Sequence, residues 1–297
     1  MNSRPTVSVV LPTYNRLDLL PRAIDSVLNQ TYDNLECLII NDASQEDPRS
    51  IVEGYADERL RYFVHDVNKG LGAARNTGVE NASGKYVAFL DDDDEWLPTK
   101  LEKQVQLIEQ ASSEVALVYT WMNYFTQSGE LIRKYHPTYE GDIFLHTLDG
   151  QPIGAGSTLL ARKCVIDEVG GFDESLPRGI DGDFIRRTAR NYKIKYVPEV
   201  LVKYYVGHGH ERITSSDPQG IRNAIHSEKI KFEKFGEKLQ NHPDRASNIY
   251  IQIADHYTQL RDWQNAAKYY IKAIATDPTD TSVFPHVFNS AKSLISL

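Results

Sequence analysis

The chain has 297 residues, more than one compact core usually needs, so one large domain with an addition is expected rather than two equal halves. Its 33 Lys and Arg stand against 41 Asp and Glu, a formal charge of -8, which excludes broad contact with nucleic acid or an anionic membrane and leaves basic pockets only where they are built locally. Two cysteines, Cys37 and Cys164, are too few for a disulfide framework and read as inert buried thiols; with no leader-like start and no run near the ~18 apolar residues of a membrane span, a cytoplasmic protein is expected, with room for peripheral membrane contact alone.

Residues 7–11 form a β-branched run closed by Pro12, the pattern of a short buried strand that stops there. Leu17, Leu20, Ile24, Val27 and Leu28 follow at helical spacing, with Pro21 tolerable only in the first turn. LECLIIND is a second strand ending at Asp42, IVEGYA a helical piece, RLRYFVH a third strand, GAARNTGVENA a helix, and YVAFLD a fourth strand ending at Asp91. This alternation predicts an α/β fold with a doubly wound, mostly parallel central sheet, in which ligands sit beyond the carboxyl ends of the strands. Asp42 and the run Asp91, Asp92, Asp93, Asp94 lie at those ends.

The later half is less regular. EVALVYTWMNYFTQSGELIRKYH reads as antiparallel strands turning at Ser128 and Gly129, and YKIKYVPEVLVKYYV as another pair bent at Pro198, adding mixed strands to the same sheet. In residues 245–278, Tyr257, Trp263, Ala266, Ala267, Tyr270, Ala273 and Pro278 fall close to the spacing of a tetratricopeptide repeat of about 34 residues. No second copy is evident, and a lone repeat cannot bury its apolar face unaided. A helical hairpin packed on the main domain is therefore preferred over a peptide-binding array, within an α-helical C-terminal extension over 219–297 that follows a main domain over 1–218.

Four adjacent carboxylates repel one another, and a cation would resolve the conflict. Oxygen ligands without a nearby cysteine favour a hard ion, Mg2+ or Mn2+, with positions left open for substrate phosphate. An acid run by itself is usually a solvated turn. This one caps a predicted central strand, and Trp96, Leu97, Pro98 and the helix TKLEKQVQLIEQ follow directly. GLGAAR, residues 70–75, nearly spells a dinucleotide fingerprint, but Arg75 replaces a small residue, the motif lies far from the first strand, and four acids would repel a pyrophosphate. Arg75 suits a guanidinium directed at a diphosphate or ribose, or a surface salt bridge.

Taken in order, VSVVLPTYNR, LIINDAS, NKGLGAARNTGVENASGKYVAFLDDDDEWLP and VGGFDESLPRGIDGDFIRRTAR resemble the nucleotide-sugar glycosyltransferases of family 2, over residues 6 to about 214. The resemblance implies a GT-A fold, a UDP- or dTDP-sugar donor, a divalent metal, and inverting transfer of a hexose to a hydroxyl of a glycan, lipid-linked or protein acceptor. It places Pro12, Thr13 and Tyr14 at the turn bordering the base, Asp42 at the base edge, Arg75 beside base and ribose, Asp91 and Asp92 near ribose and first phosphate, and Asp93 on the metal. Asp181 falls at the catalytic-base position, where Ile180 and Gly182 depart from the family's usual acid and aromatic. Asp183 is then a structural or acceptor-site acid. YYVGHGHERIT matches the loop that supplies a histidine to metal or diphosphate, His210 ahead of His208, with Arg212, Ile213 and Thr214 completing the match. Residues 149–163 would line the sugar and acceptor side. The competing reading is a non-catalytic scaffold that holds a nucleotide or glycan and recruits a protein partner, or a second copy, through its helical tail. A sugar-nucleotide-forming nucleotidyltransferase fits less well, because LPTYNR lacks a glycine-rich phosphate loop.

Overall fold

The computed structural model describes residues 5–150, 152–210 and 216–295. Two compact units partition the chain, one of Met1–Glu174 with Asp181–His210, the other of Ser175–Ile180 with Glu211–Leu297.

The first unit is a mixed α/β structure around one curled sheet. Its parallel half is β1 (Val7–Thr13), β2 (Leu35–Asn41), β3 (Leu60–Val64) and β4 (Tyr86–Phe89), in the order β3-β2-β1-β4. Three helices make the crossovers: α1 (Leu20–Leu28), α2 (Arg49–Gly54) and α3 (Leu71–Asn81). Every residue of β1, β2 and β4 is buried, which is why these strands read as apolar runs rather than alternations. Gly78 sets the approach of α3 to β1, since a Cβ there would fall 2.3 Å from Val10 Cγ1.

The second half adds β5 (Asp94–Trp96), α4 (Lys100–Gln110), β6 (Val115–Thr126), β7 (Leu131–Tyr135), α5 (Phe144–Leu148), β8 (Leu160–Arg162), α6 (Lys163–Val169), α7 (Ile180–Ala189) and β9 (Lys193–Val206). The path continues β4-β8-β6-β9-β5, with β7 paired to β6; β8 is antiparallel to both its neighbours and β9 runs parallel to β6.

Four local expectations change. β1 does not stop at Pro12 but runs to Thr13; its β4 partner has already ended at Phe89, opposite Val10, so the missing proline N–H meets no ladder on that side. Residues 193–206 are one strand rather than a pair. Pairing with β6 jumps from Thr120–Val197 to Trp121–Val200, leaving Pro198 in a bulge where its lost donor breaks no bond. The acid run, expected to end a strand, opens a new one, β5, antiparallel to β9. Cys37 is buried in β2, which pushes its thiol up to about 12, whereas Cys164 is exposed.

The second unit is helical: α8 (Pro218–Leu239), α9 (Pro243–Gln259), α10 (Trp263–Thr276) and α11 (Val283–Ile295). Asp217 caps α8 by accepting from the N–H groups of Gln219 and Gly220, ahead of a Pro in the first turn. A small core of Ile251, Ala254, Ala266, Tyr270, Ala273 and Val283 joins α9, α10 and α11. Ile271, Phe284 and Phe288 stay exposed at 66%, 60% and 59%. Among the described residues no helix is long and apolar enough to cross a membrane.

Candidate active site

β4 delivers the acid run to the carboxyl edge of the parallel strands, and there the chain turns. The Asp94 N–H donates to the Asp91 carbonyl at 3.1 Å before β5 begins. The turn breaks strand alternation, so Asp91, Asp93 and Asp94 each present a carboxylate oxygen, all within 4.8 Å of one another. Asp92 points away from that group. It accepts from Thr13 Oγ1 and Arg16 Nη1, both at 2.8 Å, and burial pushes its carboxyl up to about 6 against the pull of Arg16.

Each of the converging acids is held by a different partner. Asp93 Oδ2 lies 3.0 Å from His208 Nε2 and 3.3 Å from Arg16 Nη1, and the Asp93 carbonyl accepts from Arg22 at 2.7 Å. Asp94 is fully buried and accepts from Ser157 Oγ at 2.5 Å. The same Ser157 hydroxyl takes the Asp91 N–H at 3.1 Å, and the Ser157 carbonyl takes the Trp96 indole N–H at 2.7 Å. One serine in the turn Gly156–Thr158 thus ties the acid run to the segment expected to line the acceptor side.

Arg75, carried by α3, has no exposed surface. It donates through Nη2 to Asp91 at 2.8 Å and through Nη1 to Asp181, whose other oxygen accepts from the Gly156 N–H at 3.0 Å. Burial opposes the Arg75 charge, but Asp181 and Asp91 outweigh it and hold its pKa above the ordinary value. The guanidinium can come this close because position 156 is glycine: a Cβ there would stand 2.5 Å from Arg75 Nη2. Arg75 thus joins Asp91 to Asp181.

The other anticipated residues lie along the same edge. Asp42 is buried, accepts from the N–H groups of Lys69 and Gly70 at 2.8 Å, and faces His65 Nδ1 at 2.7 Å, so it fastens the loop that leads into α3. Pro12 and Thr13 end β1, and Tyr14 follows at 43% exposure. His208, not the better motif match His210, touches the acidic turn; His210 pairs with Asp18 at 2.9 Å, with its ring 5.6 Å from that of His208. Arg212, Ile213 and Thr214 lie outside the described residues. Asp183 is buried on α7 and accepts from Arg187 at 2.8 Å. Sequence reasoning missed Arg16 and Ser157. Arg16 closes the quoted stretch LPTYNR, where a cation beside four downstream acids was the available signal.

The donor set suits a hard divalent cation. Asp91 through Asp94 and Asp181 bring five carboxylates, of which Arg16 and Arg75 engage Asp91, Asp92, Asp93 and Asp181, leaving a negative surplus on oxygen ligands alone.

Residues 8–170 match the family described as Glycosyl transferase family 2. An uncharacterised glycosyltransferase of Methanocaldococcus jannaschii is 31% identical over 209 residues, 68% of this chain and 71% of that protein. One from Rickettsia prowazekii is 32% identical over 204 residues, 67% of this chain and 63% of that protein. The chain spans 63% and 37% of the length of the first two curated relatives it matches. Among solved structures, S. aureus TarS 1-349 in complex with UDP-GlcNAc superposes with a TM-score of 0.63 at 17% identity, covering 93% of both chains. The mannosyltransferase PcManGT from Pyrobaculum calidifontis, in complex with GDP-Man and Mn2+, gives 0.61 at 18% identity, over 99% of this chain and 80% of that one. At such identities the likeness establishes the fold, a GT-A-type α/β sheet followed by C-terminal helices.

Proposed function

This chain belongs to glycosyl transferase family 2, and on that premise we propose that it is an inverting, metal-dependent hexosyltransferase that moves a sugar from a nucleotide diphosphate sugar, a UDP-sugar first, to an acceptor hydroxyl in glycan or glycoconjugate synthesis. One observation carries the reading. Asp91, Asp93 and Asp94 converge within 4.8 Å at the strand ends, and one buried arginine links that cluster to Asp181. A nucleotide-sugar donor is supported by the ligands named for TarS and PcManGT.

In this mechanism the acceptor oxygen attacks the anomeric carbon as the bond to the diphosphate breaks, and Asp181 takes the hydroxyl proton. Arg75 and the Gly156 N–H fix the Asp181 carboxylate, one oxygen each, so its orientation is set before the acceptor arrives. Asp93, with Asp91 and Asp94, would hold Mn2+ or Mg2+, which would supply positive charge to the leaving diphosphate. His208 or His210 would add a loop ligand there, and Gly207 and Gly209 hold that loop at φ +76° and +77°, a region other residues enter only at a cost. Thr13, Tyr14 and Asp42 border the base, with Asp42 acting through the loop it fastens.

Calorimetric titration with UDP tests the reading. Wild type is expected to bind UDP in the presence of Mn2+ and Asp93→Asn to lose that metal-dependent gain; equal affinity in both would sink it. A second reading has its own observation: Ile271, Phe284 and Phe288 leave an apolar face on α10 and α11, suited to a tetratricopeptide-like repeat that recruits a partner to a non-catalytic scaffold. Slow UDP release from the donor without acceptor supports the enzyme, and intact donor binding with no release supports the scaffold.

A further inference from the structure

The helical unit carries a cleft of its own, about 580 Å³ in volume, at the corner where α9 passes into α10. One wall is a face of α8 with Arg222, His226 and Lys229 at intervals of four and three residues, which stacks them along one side of the helix. The facing wall is the corner itself, with Tyr257, Arg261, Asp262 and Asn265. In a chain of net charge -8, a concavity this rich in cations is a local construction of the kind a phosphate requires.

The cations are available. Asp262 is the one carboxylate among the lining residues, and it is occupied as the cap of α10, accepting from the Asn265 N–H at 3.1 Å and the Asn265 side-chain amide at 2.7 Å. Among the described residues, neither Arg222 nor Arg261 has a carboxylate oxygen within 4.0 Å. Lys229 is steadied by donating to the Tyr257 hydroxyl at 3.0 Å and by a side-chain hydrogen bond to Tyr269, both neutral partners that leave its charge uncompensated.

Arg261 adds a separate observation. It sits at φ +58° just past the end of α9, where its N–H donates to the Thr258 carbonyl at 3.0 Å and the next N–H, of Asp262, to the Tyr257 carbonyl at 2.9 Å. Glycine or asparagine fills such left-handed helix ends at lower cost, so an arginine here is not the residue the turn itself favours.

We propose that this cleft binds a phosphate group, with Arg222 and Arg261 as opposed guanidinium donors and Lys229 as the third cation. Every lining residue belongs to the helical unit, so the proposal stands apart from the transferase reading.

The test is isothermal titration of the full chain, without divalent cation, with inorganic phosphate and with vesicles of phosphatidylglycerol or of phosphatidylcholine. Wild type is expected to bind inorganic phosphate, or phosphatidylglycerol vesicles in preference to phosphatidylcholine; the first outcome assigns a free phosphate, the second a headgroup. Arg222→Ala combined with Arg261→Gly is expected to weaken that binding about tenfold or more, while UDP affinity with Mn2+ stays unchanged. Arg261→Gly alone should keep or raise the thermal midpoint, because glycine suits the turn, and should still weaken binding. Equal affinity in the double variant, or no binding to any phosphate probe, overturns the proposal.

Discussion

Arg75 is the residue whose neighbours say most about the candidate chemistry. With Asp181 as general base, Asp181→Asn should lower turnover on the order of 100-fold while donor affinity survives, because the proton moves only in the transition state. Steady-state kinetics with a calorimetric donor titration separates the two, and wild-type turnover in the variant would remove Asp181 from the role. Gly156→Ala attacks the same point from the backbone side. The added methyl would meet Arg75 Nη2 at 2.5 Å, and because that guanidinium is buried and tethered at both ends it can give way only by leaving Asp91 or Asp181. We expect about tenfold or greater loss of turnover with a stability cost of about 1–3 kcal/mol, measured by urea unfolding. Loss of stability without loss of turnover would show that the close approach is packing alone.

At the scale of elements, α4 opens on a buried lysine. Lys100 has no exposed surface; its Nζ lies 3.9 Å from the Trp96 ring centroid and donates to Gln104 Oε1 at 2.7 Å. One neutral oxygen and a ring do not replace water around an ammonium, and burial holds the Lys100 pKa well below the ordinary value. The unfolded chain then carries a proton that the folded one lacks. Stability should rise with pH between the depressed value and about 10.5, by up to about 1.4 kcal/mol per pH unit from this group. Urea unfolding followed from pH 7 to 10 should show stability gaining more with pH in wild type than in Lys100→Met; identical slopes throughout would mean the amine is charged in place.

The elements that could be read from the chain, and those that could not, divide by the range of the interactions that make them. β1 to β4 and α1 to α3 announce themselves because a strand buried on both faces is apolar throughout and each crossover helix shows a periodic face. β5 does not: Asp94, Glu95 and Trp96 carry no strand signature, and they become one only by pairing with Val202 to Tyr204, more than a hundred residues away. Pro198 looked like a break and sits in a bulge, since a proline pattern shows the missing donor but not whether a ladder needed it. At the site, the acids and Arg75 stood out by sequence context. Ser157 did not, because a hydroxyl in a glycine-rich turn acquires its partners only through the fold, and that His208 rather than His210 lies against Asp93 is a matter of loop geometry.

For the molecule as a whole, the charge of -8 argues that affinity for a diphosphate must come from local construction. A panel of nucleotide sugars with Mn2+, read by thermal shift, should therefore give one donor that raises the midpoint by several degrees, since ligand at about 100 times its Kd adds about 2.7 kcal/mol. A flat response across the panel would count against donor binding. Arg75 gives this whole-chain behaviour a particular shape. Because a single guanidinium serves Asp91 at one end and Asp181 at the other, any ion that competes for the first shifts the grip on the second, and reciprocity makes the influence equal in both directions. Loading of the donor with its metal and loading of the acceptor should then be coupled, each altering the affinity for the other by one and the same factor whichever comes first.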